Sequence, residues 1–125
     1  MPEVIVVAVG YPLEEFYGAD YQQFFTRRAK DLTSVRDERY EQFVGKATQN
    51  EALQLETGSA ESFRKFVTEE VTALVEGRYR ASTEDKILLG YSTGGHFAVY
   101  AMLRQPRSFQ RYIVGSPSLG FVAHE

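Results

Sequence analysis

ILLGYSTGGHFAVYAMLRQP, residues 87–106, is the stretch on which the reading turns. Ile87-Leu88-Leu89 is short and apolar, like a buried strand. Gly90-Tyr91-Ser92-Thr93-Gly94 follows at once. From Gly94 onward Phe97, Tyr100, Ala101 and Leu103 fall in helical register, and Pro106 stops the run. A strand, a glycine-bounded serine and a helix, in that order, predict a sharp turn that exposes Ser92.

A Gly-x-Ser-x-Gly pentapeptide alone is weak, because three fixed positions recur by chance in about 4% of chains of this length. The flanking strand and helix supply the context that a nucleophile elbow requires. The steric expectation is that a Cβ at Gly90 or Gly94 would collide where strand and helix approach. Ser92 would then stand at the positive end of the helix. The Thr93 backbone N–H would face a developing oxyanion, the kind of preorganised donor that stabilises a transition state. The competing reading is a glycine-rich connection with no catalytic meaning.

Working outward, Tyr112-Ile113-Val114 reads as another strand, closed by Gly115-Ser116-Pro117-Ser118. Upstream, Phe63, Phe66, Val67, Val71, Leu74 and Val75 form one apolar stripe, predicting a helix over 60–76. Ser59 is its expected N-cap and Gly77 its expected stop. Glu69 and Glu70 point in different directions on such a helix, so they read as a solvated face and not as a carboxylate pair. Residues 4–9, VIVVAV, are β-branched and continuous, the pattern of an interior parallel strand. Residues 13–25 leave helix and loop open. From Thr26 to Gly58 charges dominate, predicting a long surface excursion with one helical turn near Tyr40 to Val44. Strand, helix, strand, helix, strand implies an α/β layer architecture with about three parallel strands and crossover helices.

The 125 residues are 43% hydrophobic and carry a net charge of −3, which fits a single domain over 1–125. No basic patch forms and no segment is apolar enough to cross a bilayer, so neither nucleic acid nor membrane is an expected partner. Cysteine is absent and the histidines, His96 and His124, lie far apart, so no metal is expected. No phosphate-cradling glycine motif appears, and no cofactor is expected. Met1-Pro2-Glu3 lacks a basic n-region, so no signal peptide is read and the cytoplasm is the default compartment.

GYSTGGHFAVYAMLRQPRSFQRYIVGSPSL resembles the elbow region of the "Putative esterase" family of α/β hydrolases. That family includes the enterochelin (siderophore) esterases and is related to the esterase D group. VIVVAVGYP at 4–12, RAKDLT at 28–33 and SAESFRKFVTEEVTALVEGRYRAS at 59–82 extend the resemblance over most of the chain, 34–57 excepted. Tyr91 departs from the family, where histidine is usual. The resemblance implies an incomplete α/β-hydrolase fold, Ser92 as acyl-accepting nucleophile, Thr93 N–H as oxyanion donor, Gly90 and Gly94 as elbow glycines, and a small-molecule carboxylic ester as substrate. In this superfamily an acid and then a histidine follow the serine. Only His124 and Glu125 lie late enough in the chain, and a terminus is a poor place to hold a base. His96 reads as a packing residue. The resemblance also places Met1 inside the family's domain, so the chain reads as an internal fragment.

Two rival readings stand beside a serine esterase. One is an inactive hydrolase fragment that acts by pairing with another chain, with self-association through exposed sheet edges as the expected liability. The other is a small doubly wound domain whose Gly90–Gly95 stretch meets an anion.

Overall fold

The predicted strand–turn–helix is the spine of the fold. A computed structural model describes residues 3–11, 21–47 and 55–121. The elements are α1 (Tyr21–Leu32), α2 (Glu38–Ala47), α3 (Ala60–Lys65), a π-helical turn (Phe66–Val71), α4 (Thr72–Arg78), β1 (Ile87–Tyr91), α5 (Thr93–Arg104) and β2 (Arg111–Gly115).

β1 and β2 pair in parallel, with Ile87 opposite Arg111 and Tyr91 opposite Gly115, and α5 makes the crossover between them. Successive strand residues face opposite sides. Leu88 and Tyr112 turn toward α5 and pack on the core of Leu32, Ala60, Val67, Phe97, Ala101 and Phe109. The Phe63 and Phe97 rings meet edge-on at 4.9 Å and join α3 to α5. Ile87, Leu89, Tyr91 and Ile113 face the other way and stay exposed, Leu89 at 68%. The sheet is therefore covered on one face only.

The helix predicted over 60–76 forms, but with a π-helical turn in its middle. Thr72 donates its hydroxyl to the Val67 carbonyl at 3.0 Å, and Thr68 donates to that of Arg64 at 2.9 Å. Such side-chain bonds to the preceding turn compete with the regular ladder. Ser59 precedes the helix without a side-chain cap, and Gly77 falls inside its last turn. Glu69 and Glu70 are exposed, as expected.

Two expectations need correction. Val4 to Val9 carries no ladder, so two of the three expected strands are bonded among the described residues. A cavity of about 570 Å³ is lined by Val4, Ile5 and Val7 together with Ile87 and Leu88. Ladder bonds need strands about 4.8 Å apart, and the Val4–Val9 segment makes none with β1. The excursion is also more ordered than its composition suggests. Residues 21–32 and 38–47 are helical, with Ala29 and Leu32 buried. Polar links anchor this region: Asp37 Oδ1 accepts the Tyr40 N–H at 3.0 Å, and Glu41 accepts both the N–H (2.9 Å) and the hydroxyl (2.7 Å) of Thr57. Residues 12–20 and 48–54 lie outside the described residues.

One buried cation fastens α3 to α5. Arg64 donates to both Glu61 oxygens, at 2.8 and 2.9 Å, and also bonds Gln105. Tyr100 donates its hydroxyl to Glu61 at 2.9 Å. The Arg64 bond, with help from Tyr100 and Arg104 and against desolvation, holds the Glu61 carboxyl down from 4.5 to about 2. A depressed carboxylate contributes stability above its unfolded value and loses it as pH falls through the folded one. Glu61→Gln is therefore expected to lower the urea midpoint at neutral pH. The gap to wild type should shrink below pH 4.5 and close near pH 2, as read by denaturation at a series of pH values.

Candidate active site

Ser92 sits between β1 and α5 with φ 57° and ψ −120°, a positive φ that side-chain-bearing residues rarely adopt. Its backbone is held on three sides. The Ser92 N–H donates to the Gly115 carbonyl at 3.0 Å. The Ser92 carbonyl accepts from His96 N–H at 3.0 Å and from Ser118 N–H at 3.1 Å. Strain of this kind costs about 1–3 kcal/mol, and three net hydrogen bonds of about 1 kcal/mol each offset it.

The steric expectation holds at Gly90 and shifts elsewhere at the second glycine. A Cβ on Gly90 would lie 2.0 Å from the Gly94 carbonyl oxygen. One on Gly94 would meet nothing within 4 Å, so contact with the rest of the fold does not demand glycine there. Gly95 carries that demand: its Cβ would lie 2.9 Å from the Gly115 oxygen and 3.1 Å from Pro117 Cα. At Gly115 a Cβ would strike the Tyr91 ring at 2.7 Å. Two adjacent glycines at 94–95, followed by a Gly-Ser-Pro turn, were the available signal for this second close approach. The signal was passed over because the pentapeptide ends at Gly94.

The Ser92 side chain is half-buried and does not cap α5. Its oxygen lies 3.5 Å from the Ser118 hydroxyl, longer than a normal O–H···O bond. Thr93 opens α5, and helix geometry leaves the first-turn N–H groups without intrahelical acceptors, at the positive end of the helix dipole. The arrangement can present a hydroxyl beside backbone donors.

His96 is buried one turn along α5, as a packing residue should be. Its Nε2 lies 3.2 Å from Ser34 N and 3.1 Å from Ser34 Oγ. Burial pushes its pKa below the usual histidine value, while a backbone interaction with Ser118 works against that shift. Among the described residues no group of three metal-ligating side chains occurs, and no helix is long and apolar enough to cross a membrane. His124 and Glu125, the positions late enough in the chain for a base and an acid, lie outside the described residues.

With this geometry in hand, similarity to known proteins becomes informative. A family model described as "Putative esterase" matches residues 29–123. The chain belongs to this esterase family. It is 29% identical over 116 residues to the ferri-bacillibactin esterase of Bacillus subtilis, and 32% identical over 118 residues to the siderophore enterobactin esterase of Emericella nidulans. Each alignment spans 92% of this chain but 36% of the relative, so the chain covers about a third of those proteins' length. Among solved structures, the siderophore hydrolase EstB of Aspergillus nidulans superposes with a TM-score of 0.63 at 29% identity, over 89% of this chain and 32% of that one. The BES protein of Bacillus cereus gives the same score at 24% identity, over 77% and 32%, and there the likeness is one of fold. The chain thus carries part of an α/β-hydrolase fold.

The elbow sterics are testable. Gly90→Ala should lower the urea midpoint by the equivalent of about 3 kcal/mol, since it overpacks against backbone that cannot move aside. Gly94→Ala should leave stability unchanged or raise it by up to about 1 kcal/mol, the usual gain from replacing a helical glycine. Equal losses for the two would contradict the contacts described above.

Proposed function

We propose that Ser92 is the nucleophile of a carboxylic-ester hydrolase. The carrying observation is the strained serine at the start of α5, half-exposed and backed by Gly90. In the reaction, Ser92 Oγ attacks the ester carbonyl and loses its proton to a base. The tetrahedral oxyanion is met by the Thr93 N–H. Its collapse breaks the C–O bond and releases the alcohol as it takes up a proton. Water then attacks the acyl-serine, frees the acid and restores the Ser92 hydroxyl. A second donor and the base and acid of a triad complete such a site, and none of them is assigned to a residue of this chain.

The relatives whose names specify siderophore esters point to that substrate class: multidentate iron chelators joined by ester bonds. A serine hydroxyl is a weak nucleophile until a base takes its proton, so labelling of Ser92 reports how far it is activated. A fluorophosphonate probe should form a slow covalent adduct on the Ser92 peptide, read by mass spectrometry, and Ser92→Ala should abolish it. An adduct undiminished in the variant, or none after prolonged exposure, removes the nucleophile reading.

A second reading is association with another chain. The exposed apolar face of Ile87, Leu89, Tyr91 and Ile113 supports it, together with the unladdered Val4–Val9 segment beside the cavity. Among the described residues β1 pairs on one edge only, and its other edge is a ready template for strand pairing. Light scattering is expected to reveal concentration-dependent oligomers that Leu89→Lys disperses. A monomer at every concentration would leave this reading without support.

A further inference from the structure

The two largest fully buried side chains, His96 and Thr33, are both polar, and they lie at one junction. Thr33 donates its hydroxyl to the Ala29 carbonyl at 2.5 Å and accepts the Gly58 N–H at 2.7 Å. Its carbonyl accepts the Ala60 N–H at 3.1 Å. Both ends of the 34–58 excursion are therefore fixed at one point. Gly58 has φ 93°, and a Cβ there would lie 2.6 Å from Arg36 N. The next residue, Ser34, turns its N–H to His96 Nε2. The His96 N–H in turn donates to the Ser92 carbonyl. A continuous path runs Gly58, Thr33, Ser34, His96, Ser92.

A backbone N–H can only donate, so Nε2 must be an acceptor. With the Ser34 N–H directed at Nε2, the neutral ring carries its proton on Nδ1, a buried nitrogen. We infer that His96 is a positioning residue for the Ser92 site: through Nε2 it docks the base of the 34–58 excursion against the first turn of α5. Four residues of helix are about 6 Å, so His96, which meets Ser34 through Nε2, stands one turn from the proposed nucleophile. The excursion then starts at a fixed point against the first turn of α5. The inference rests on the reading of Ser92 given above, but its geometry can be tested apart from any chemistry.

The contact is sensitive to acid, because a protonated imidazole has no acceptor. The charged groups on the elements packed against His96 are engaged elsewhere. On α1, Asp31 accepts from Tyr11 and Lys30 pairs with Glu56. Beyond Ser34, Arg36 lies near Glu38 and Glu41, while Asp37 caps α2. On α5 the first charged residue after His96 is Arg104, which lies near Glu61. The Gly115–Ser118 turn has no ionisable side chain. A lowered histidine value means the link is fully formed above the ordinary range and fails as pH falls through the folded value.

The test is NMR on the ¹⁵N-labelled chain. At neutral pH the His96 ring is expected as the Nδ1–H tautomer. The Ser34 amide should exchange slowly and should lose protection on acidification together with His96 titration. His96→Gln restores an acceptor near Nε2, so it should keep the protection and abolish its pH dependence. His96→Phe should speed Ser34 exchange about five- to tenfold, the worth of one hydrogen bond. An Nε2–H tautomer, or equal Ser34 exchange in wild type and His96→Phe, overturns the inference. If His96→Phe fails to fold, the wild-type tautomer and the His96→Gln profile still decide. Fluorophosphonate labelling separates the two proposals. Labelling slowed by His96→Phe and restored by His96→Gln supports positioning. No labelling of wild type sinks the Ser92 reading while the NMR outcomes stand.

Discussion

The structure hangs on a serine held in a backbone conformation that serine does not choose. At φ 57° Ser92 has left the extended path of β1 without yet entering the helix, and only neighbours that supply bonds can keep it there. Those neighbours come from the far side of the crossover: the Gly115 carbonyl is at the end of β2 and the Ser118 N–H lies just beyond it. The elbow is thus a tertiary object. Its local sequence permits the turn by omitting a Cβ at Gly90, but the turn after β2 enforces it. Ser116, itself at φ 40° and followed by Pro117, shows that this second turn is also constrained.

That dependence explains why glycines cluster where they do. Gly90 lets α5 start against its own strand, and Gly95 lets the Ser116–Pro117 turn lie against the helix. Gly115 makes room for the Tyr91 ring, which stands opposite it in the parallel register. A side chain at any of the three would push apart two of the pieces that hold Ser92. The aromatic layer beneath, Phe97 with Phe63 and Phe109 with Tyr112, then fixes α5 on the sheet.

Much of this was legible in the sequence because it is local. The stripe from Phe63 to Val75 repeats with helical period, and it forms the helix. The 87–106 stretch announces strand, turn and helix within one contiguous run. What stayed illegible depends on partners far along the chain. VIVVAV has the composition of an interior strand, yet composition cannot say whether a ladder partner lies within 4.8 Å, and here the segment carries no ladder. The helices at 21–32 and 38–47 are harder to see in the sequence because charged residues crowd their apolar positions, and the links that tie this region down, such as Thr33 to Gly58, join residues far apart in the chain. The close approach at Gly95 stayed hidden because a pentapeptide pattern carries no information about a turn twenty residues downstream.

The parts that orient the Ser92 hydroxyl come from one stretch of chain. Residues 87–118 contain the strained serine, the helix amino end, the turn that clamps it and the glycines that let these approach. None of those interactions requires a charge, and His96, the one ionisable side chain at their centre, is neutralised by burial and turned toward Ser34. Orientation is therefore insensitive to whether a base is present, whereas the nucleophile's reactivity depends wholly on one. A hydrolase built this way can keep its elbow rigid while the acid and base are delivered by loops that vary in length, because the cost of the strained serine is met within the crossover unit that creates it.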